Sequence, residues 1–187
     1  MNKIKFFNTY KLIIAALCLG AALFFIPQTA WCDAKLNLKE IQRLAEQGSA
    51  EYQFELAQRY ANGDGVTQDF NTAQTWLIQA AAQDYAEAQH MLGLFYYFGL
   101  TGPKNVDKAL DWFAKAAKQK NPVALFNLGM MNLNGEGLEA NHGIAFRYLR
   151  EAAHLGYAPA QYNLAVLYED GVGIDQDLSQ AVIWYRK

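Results

Sequence analysis

The sequence predicts an all-α fold, a right-handed α/α superhelix of about four helix-pair repeats, each 36 residues long. Two observations predict it. Leu56, Leu92, Leu128 and Leu164 stand 36 residues apart, as do Gly63, Gly99, Gly135 and Gly171, and no insertion breaks the register. Between these marks the apolar residues recur with the 3.6-residue period of a helix. Self-similarity at a period of about 20–50 residues marks arrays in which each unit buries its apolar face only by stacking on its neighbours.

Residues 1–32 read differently. Lys3, Lys5 and Lys11 precede an apolar run of 15 residues from Leu12 to Ile26, which Pro27 ends. A basic start, an apolar run and small residues beyond it mark a secretory signal peptide. The run is shorter than the roughly 20 residues of a membrane span. A cleaved leader and a periplasmic or secreted protein are therefore expected, with an uncleaved inner-membrane anchor facing the periplasm as the alternative. Cleavage after Cys32 puts Ala30 at −3, and cleavage after Ala34 puts Cys32 there; both satisfy the small-residue rule. Bulky Trp31 argues against lipid attachment at Cys32.

The remaining ~155 residues suit one domain burying roughly 68–70% of its unfolded surface. Cys18 lies in the leader and Cys32 at its junction, so no internal disulfide is expected despite an oxidising destination. Without residues 1–32 the balance is 13 basic against 18 acidic residues, a net of −5. Nucleic-acid binders carry a basic stripe. Here only Lys115, Lys118 and Lys120 cluster, at a helix end where lysines suit the macrodipole. Nucleic acid is therefore not an expected partner.

Residues 36–48 are expected to form an N-terminal capping helix, because Ile41, Leu44, Ala45 and Gly48 fall where a second helix should end. The repeats then occupy 49–84, 85–120, 121–156 and 157–187. In the first helix of repeat 1, Tyr52, Leu56 and Tyr60 form one apolar stripe at i, i+4 and i+8. The small residue after each leucine (Ala57, Gly93, Gly129, Ala165) lets a neighbouring helix approach closely. The recurrent glycine ends the helix, taking the left-handed conformation without a Cβ penalty.

Second helices start at Asp69, Asn105, Asn141 and Asp177, all good N-caps. Ala109, Trp112, Phe113, Ala116 and Ala117 then give the spacing of an amphipathic helix. The recurring Trp76, Trp112 and Trp184, with Tyr60, Tyr96 and Tyr168, are expected in the core. The pairs Ala80–Ala81, Ala116–Ala117 and Ala152–Ala153 close the first three units. The sequence stops at Lys187 before a fourth pair, so the last helix is expected to lack its final turn.

The pattern Ala-x-x-x-Leu-Gly-x-x-Tyr-x-x-Gly-x-Gly-Val, followed by Asp, Ala-x-x-Trp and Ala-Ala, resembles the Sel-1-like repeat family, a relative of the tetratricopeptide repeat. The likeness covers residues 36–187. It implies an α-solenoid adaptor that binds other proteins, in the bacterial envelope or at a host interface. Some members of that family carry a disulfide in each helix pair and are linked to β-lactam binding. This sequence lacks those cysteines, which argues against that activity.

The inventory for chemistry is sparse, and no enzyme, cofactor or metal is expected. The sequence has only two serines, Ser49, placed to cap a helix, and Ser179, in the first turn of another. Neither belongs to a G-x-S-x-G or S-x-x-K signature. His90, His142 and His154 fall at unrelated repeat phases, without the i, i+4 pairing of a zinc helix. The loops Gly63-Asp64-Gly65 and Gly171-Val172-Gly173 follow helices, so they read as turns rather than phosphate cradles.

What distinguishes one repeat from another is the outward stripe of each first helix, at positions equivalent to 51, 54, 58, 61 and 62. It is apolar in the middle two repeats and polar in the outer two. Leu94, Tyr97, Phe98, Met130 and Leu133, with His90 beside them, are the expected partner-binding residues. The competing expectation is that these side chains pack on adjacent helices. Two further functional classes stand beside the protein-binding scaffold: an enzyme or binder acting on cell-wall or β-lactam substrates, and self-association through the unfinished end.

Overall fold

The structure, a computed structural model, describes residues 37–187. The expected signal peptide and its cleavage junction lie outside the described residues. The chain divides into two units, Met1–Glu40 and Ile41–Lys187, and the second holds the repeats. Among the described residues there are nine α-helices and no strand: α1 (Leu38–Glu46), α2 (Ala50–Asn62), α3 (Phe70–Ala82), α4 (Ala86–Phe98), α5 (Val106–Lys118), α6 (Pro122–Asn134), α7 (His142–His154), α8 (Ala158–Asp170) and α9 (Leu178–Tyr185). From α2 to α9 successive helices pack on one another. This nearest-neighbour stacking defines a solenoid.

The repeat period acts through identical turns. Gly63, Gly99, Gly135 and Gly171 end α2, α4, α6 and α8 with φ between 66° and 78°. That left-handed conformation would strain any residue with a Cβ. Asp69, Asn105, Asn141 and Asp177 then cap α3, α5, α7 and α9, each side chain accepting from a backbone N–H of the first turn. The backbone N–H of each cap donates to a carbonyl nine residues back, on Tyr60, Tyr96, Asn132 and Tyr168. Ser49 stands at the N-cap of α2, but its side chain makes no capping bond. Its expected role is corrected: the backbone closes that turn, Ser49 N–H donating to Leu44 O.

The small residue after each leucine does set helix spacing. A Cβ on Gly93 would lie 2.6 Å from the Phe113 ring, and one on Gly129 would lie 2.7 Å from Leu149 Cγ. Phe113 and Leu149, with Leu77, are at most 1% exposed on their second helices. This corrects the expected core. Trp76 and Trp112 are only half-buried, as are Tyr60, Tyr96 and Tyr168, and they rim the buried clusters; only Trp184 is buried. The reason is the 100° turn per residue. The residue after each tryptophan position points at the small residue of the paired helix, and the tryptophan is rotated to the edge. In the fourth repeat Tyr185 takes the place of Phe113 and is 43% exposed. The last helix α9 has 8 residues where α3, α5 and α7 have 13.

Candidate protein-interaction face

The outward positions of α2, α4, α6 and α8 form one accessible stripe. Of the positions equivalent to 51, 54, 58, 61 and 62, only Ala61 is buried; the others are half-buried or exposed. Contacts between successive first helices show that they lie side by side. Phe54 of α2 meets Tyr85 before α4 with ring centroids 5.4 Å apart, and Phe126 of α6 meets Tyr157 before α8 at 5.3 Å. Between α4 and α6 the bridge is polar, His90 Nε2 to Asn127 Nδ2 at 3.0 Å.

All six sequence-derived residues, Leu94, Tyr97, Phe98, Met130, Leu133 and His90, are half-buried. Leu94, Tyr97, Met130 and Leu133 lean on the buried cluster of the later repeats. Phe98 packs edge-on against Tyr97 at 4.9 Å. Each therefore has one side in the packing and one side in solvent. The Tyr97 hydroxyl donates to Glu136 in the loop after α6, and the Lys104 ammonium sits 4.2 Å from the Tyr97 ring centroid. The aromatic step at the end of α4 is thus fixed by charged neighbours on both sides. His90 stacks on Phe113 at 5.6 Å, and burial lowers its pKa to about 4. It is neutral at pH 7 and offers hydrogen bonds rather than charge. Beyond this stripe, the Tyr185 hydroxyl donates to Glu169 at 2.5 Å, which raises its pKa to about 12.

Sequence reasoning missed a second polar device at the repeat joints. Buried Gln53 donates to Ala45 O at 3.1 Å and accepts from Gln83 at 2.8 Å. Buried Gln89 donates to Ala81 O at 3.2 Å and accepts from Gln119 at 2.9 Å. Gln161 donates to Ala153 O at 3.3 Å. Each carbonyl bond ties a first helix to the last turn of the helix before it, adding a second donor to a carbonyl that accepts the backbone N–H three residues on. The 36-residue recurrence of Gln53, Gln89 and Gln161 was the available signal. Among the described residues no group of three His, Cys, Asp or Glu side chains is arranged to hold a metal, and no helix is long and apolar enough to cross a membrane.

The Sel1 repeat matches residues 50–85, 86–121, 122–157 and 158–187. The chain belongs to the Sel1 repeat family. Its Sel1 solenoid is similar to two solved structures in particular. A protective antigen of uropathogenic Escherichia coli is 34% identical over 81% of this chain, with a TM-score of 0.78. A Sel1 repeat protein of Oxalobacter formigenes is 31% identical over 79%, with a TM-score of 0.74. The chain spans 32% and 59% of those proteins' lengths. An immunity protein of Pseudomonas aeruginosa, 24% identical over 79% of this chain and 54% of its own, shares the fold at a TM-score of 0.55. Among curated proteins none matches significantly. These likenesses and the helix order establish the all-α superhelical repeat fold. Sel1 repeats build protein-interaction scaffolds, and the family is typically non-catalytic.

Proposed function

We propose that the protein is an exported, non-enzymatic Sel1 scaffold that holds another envelope or host protein on its first-helix face. The observation that carries this reading is the change in character along the accessible stripe. Leu94, Tyr97, Phe98, Met130 and Leu133 line its middle, while Glu51, Gln58 and Asn62 stand at one end and Glu169 and Asp170 at the other. An apolar patch rimmed by polar residues is the usual form of an interaction surface. His90, neutral and half-buried, adds a polar anchor among the apolar groups. The basic, apolar leader supports export, and likeness to a protective antigen is consistent with a protein met outside the cell.

A Tyr97→Asp/Phe98→Asp variant of the full chain tests the binding face, with a thermal melt run beside it. A photo-cross-linking residue at Leu133 should trap a discrete envelope or host protein in the native chain, and the folded double variant should lose it. Equal trapping by both moves the partner to another surface. For export, the intact mass of protein recovered from the periplasm should begin at Asp33 or Lys35; recovery only from cytoplasm refutes export.

The exposure of Leu178 (60%), Val182 (47%) and Ile183 (48%) on α9 favours a second reading, contact with a second copy through that face. Light scattering that finds a strict monomer at high concentration removes it.

A further inference from the structure

The joint between the last turn of one second helix and the second helix of the next repeat carries a different residue in each repeat. At the position of Ala82 the other joints carry Glu46, Lys118 and His154. In repeat 4 this residue covers the tryptophan, His154 meeting Trp184 edge-on at 5.0 Å. In repeat 2 the methyl of Ala82 leaves the space beside Trp112 open. The result is a groove of about 660 Å³ walled by α5, the end of α3 and the first turn of α4. That volume lies within the roughly 300–1,000 Å³ typical of small-ligand sites.

The lining is chemically polarised. Trp112 offers a half-buried indole, and Lys115 and Lys118 rise from the same helix α5. The Asp84 carboxylate and the Gln119 carboxamide, at the C-cap of α5, complete the polar lining. The Lys115 ammonium rests 3.9 Å from the indole centroid, a cation held by the ring's electron-rich face. Asp84 accepts from Gln89 and Gln119 donates to Gln89, so the polar wall is fixed to a buried residue. None of the other joints combines an indole, two lysines and a small opposing residue.

We propose that this groove binds an anionic sugar, a pyranose ring bearing a carboxylate. The carboxylate pairs with Lys115 and Lys118 and draws Lys115 off the indole. The ring's C–H face then stacks on Trp112, and its hydroxyls bond the carboxylate of Asp84 and the carboxamide of Gln119. Those two groups favour a sugar over a flat aromatic acid, which has no hydroxyls to offer them. This site shares no residue with the first-helix face.

Calorimetry of the full chain with digalacturonate, maltose and benzoate tests the proposal, with the Trp112 indole N–H followed by NMR. Digalacturonate is expected to saturate with a Kd below about 10 mM, and uncharged maltose to bind at least about tenfold more weakly. Lys115→Gln should weaken digalacturonate about tenfold. Ala82→His, which copies the covered tryptophan of repeat 4 and should fold, should abolish both the heat and the Trp112 shift. Benzoate binding as tightly as digalacturonate overturns the sugar assignment. Absence of saturation in the native chain, or binding undiminished in folded Ala82→His, overturns the site.

Discussion

Between repeats 1 and 2, Phe54 stacks on Tyr85, and Gln119 bonds Gln89, which bonds Ala81 O. Between repeats 2 and 3 the equivalents of Phe54 and Tyr85 are His90 and Asn121, with His90 bonded instead to Asn127, and the equivalents of Gln89 and Gln119 are Leu125 and Leu155. Between repeats 3 and 4 the aromatic pair returns as Phe126 and Tyr157, and the glutamine returns as Gln161. The central joint thus exchanges aromatic for polar on the first-helix side and polar for apolar on the other. The N-cap follows: Tyr85 and Tyr157 cap without a side-chain bond, whereas Asn121 accepts from Ala124 N–H. The backbone turn is the same at all three, with Tyr85, Asn121 and Tyr157 donating to Ala80, Ala116 and Ala152. Partners change together, so the joint is a unit of paired side chains on a fixed backbone frame. This is how a repeat array varies its surface without losing its stacking.

The largest effect is expected where the central joint rests on the core. Phe113 is 1% exposed, fills the space against Gly93 and supports His90 from beneath. Phe113→Ala should cost about 3–5 kcal/mol, the usual range for truncating a buried aromatic. Half-buried Trp112 should cost less on the same substitution. Chemical denaturation of both variants checks the order; an equal or larger loss for Trp112→Ala would restore the tryptophan to the core.

That order also marks what was legible in the sequence. The 36-residue recurrence reveals the repeat, its turns and its caps, because each is set by one residue type at one place: glycine for positive φ, Asp or Asn for the cap. Core phase was harder. The eye goes to the recurring tryptophan, while the residue after it varies as Leu77, Phe113, Leu149 and the exposed Tyr185 and so hides its equivalence. The outward stripe could be placed by helical period, since direction from the axis is all it requires. The open groove beside Trp112 could not, because it exists through a missing side chain, Ala82, on a different helix.

The glutamine relay gives the next effect. Gln89→Leu removes the side-chain donor to Ala81 O, which keeps the Asp84 backbone N–H, and the acceptor of Gln119, and should cost about 0.5–1.5 kcal/mol. Gln89→Leu/Gln119→Leu copies the central joint and should cost less than the two single changes summed. Urea melts of the four-member cycle measure the coupling. Strict additivity would show that the paired exchange at Leu125 and Leu155 is coincidence.

His90 makes the central joint the pH-sensitive one. Its folded pKa is lowered to about 4 by burial, and the unfolded value is 6.5. The unfolded chain therefore takes up a proton that the folded chain refuses. The resulting stability loss is absent above pH 6.5, grows as pH falls and levels off near pH 4. At pH 5.5 it amounts to about 1.4 kcal/mol. His90→Phe, the residue type of Phe54 and Phe126, should remove that slope between pH 6.5 and 5 whatever it does to stability at pH 7. A slope unchanged in the variant would assign the titration elsewhere.

The smallest effect concerns the turn itself. The residue before each first-helix N-cap is left-handed at every joint: Gly48, Asp84, Lys120 and Gly156 have φ of 94°, 59°, 61° and 85°. Asp tolerates this region, whereas a long aliphatic side chain gains nothing from it and its Cβ crowds the backbone. The central joint therefore carries the most strained of the four turns. Lys120→Gly should relieve that strain, partly offset by the greater freedom glycine brings to the unfolded chain, for a net gain of about 0.5–1 kcal/mol. Asp84→Gly should gain less. If thermal melts show Lys120→Gly neutral or destabilising, the side chain supports the joint through its packing, and the central joint is no weaker in its backbone than its neighbours.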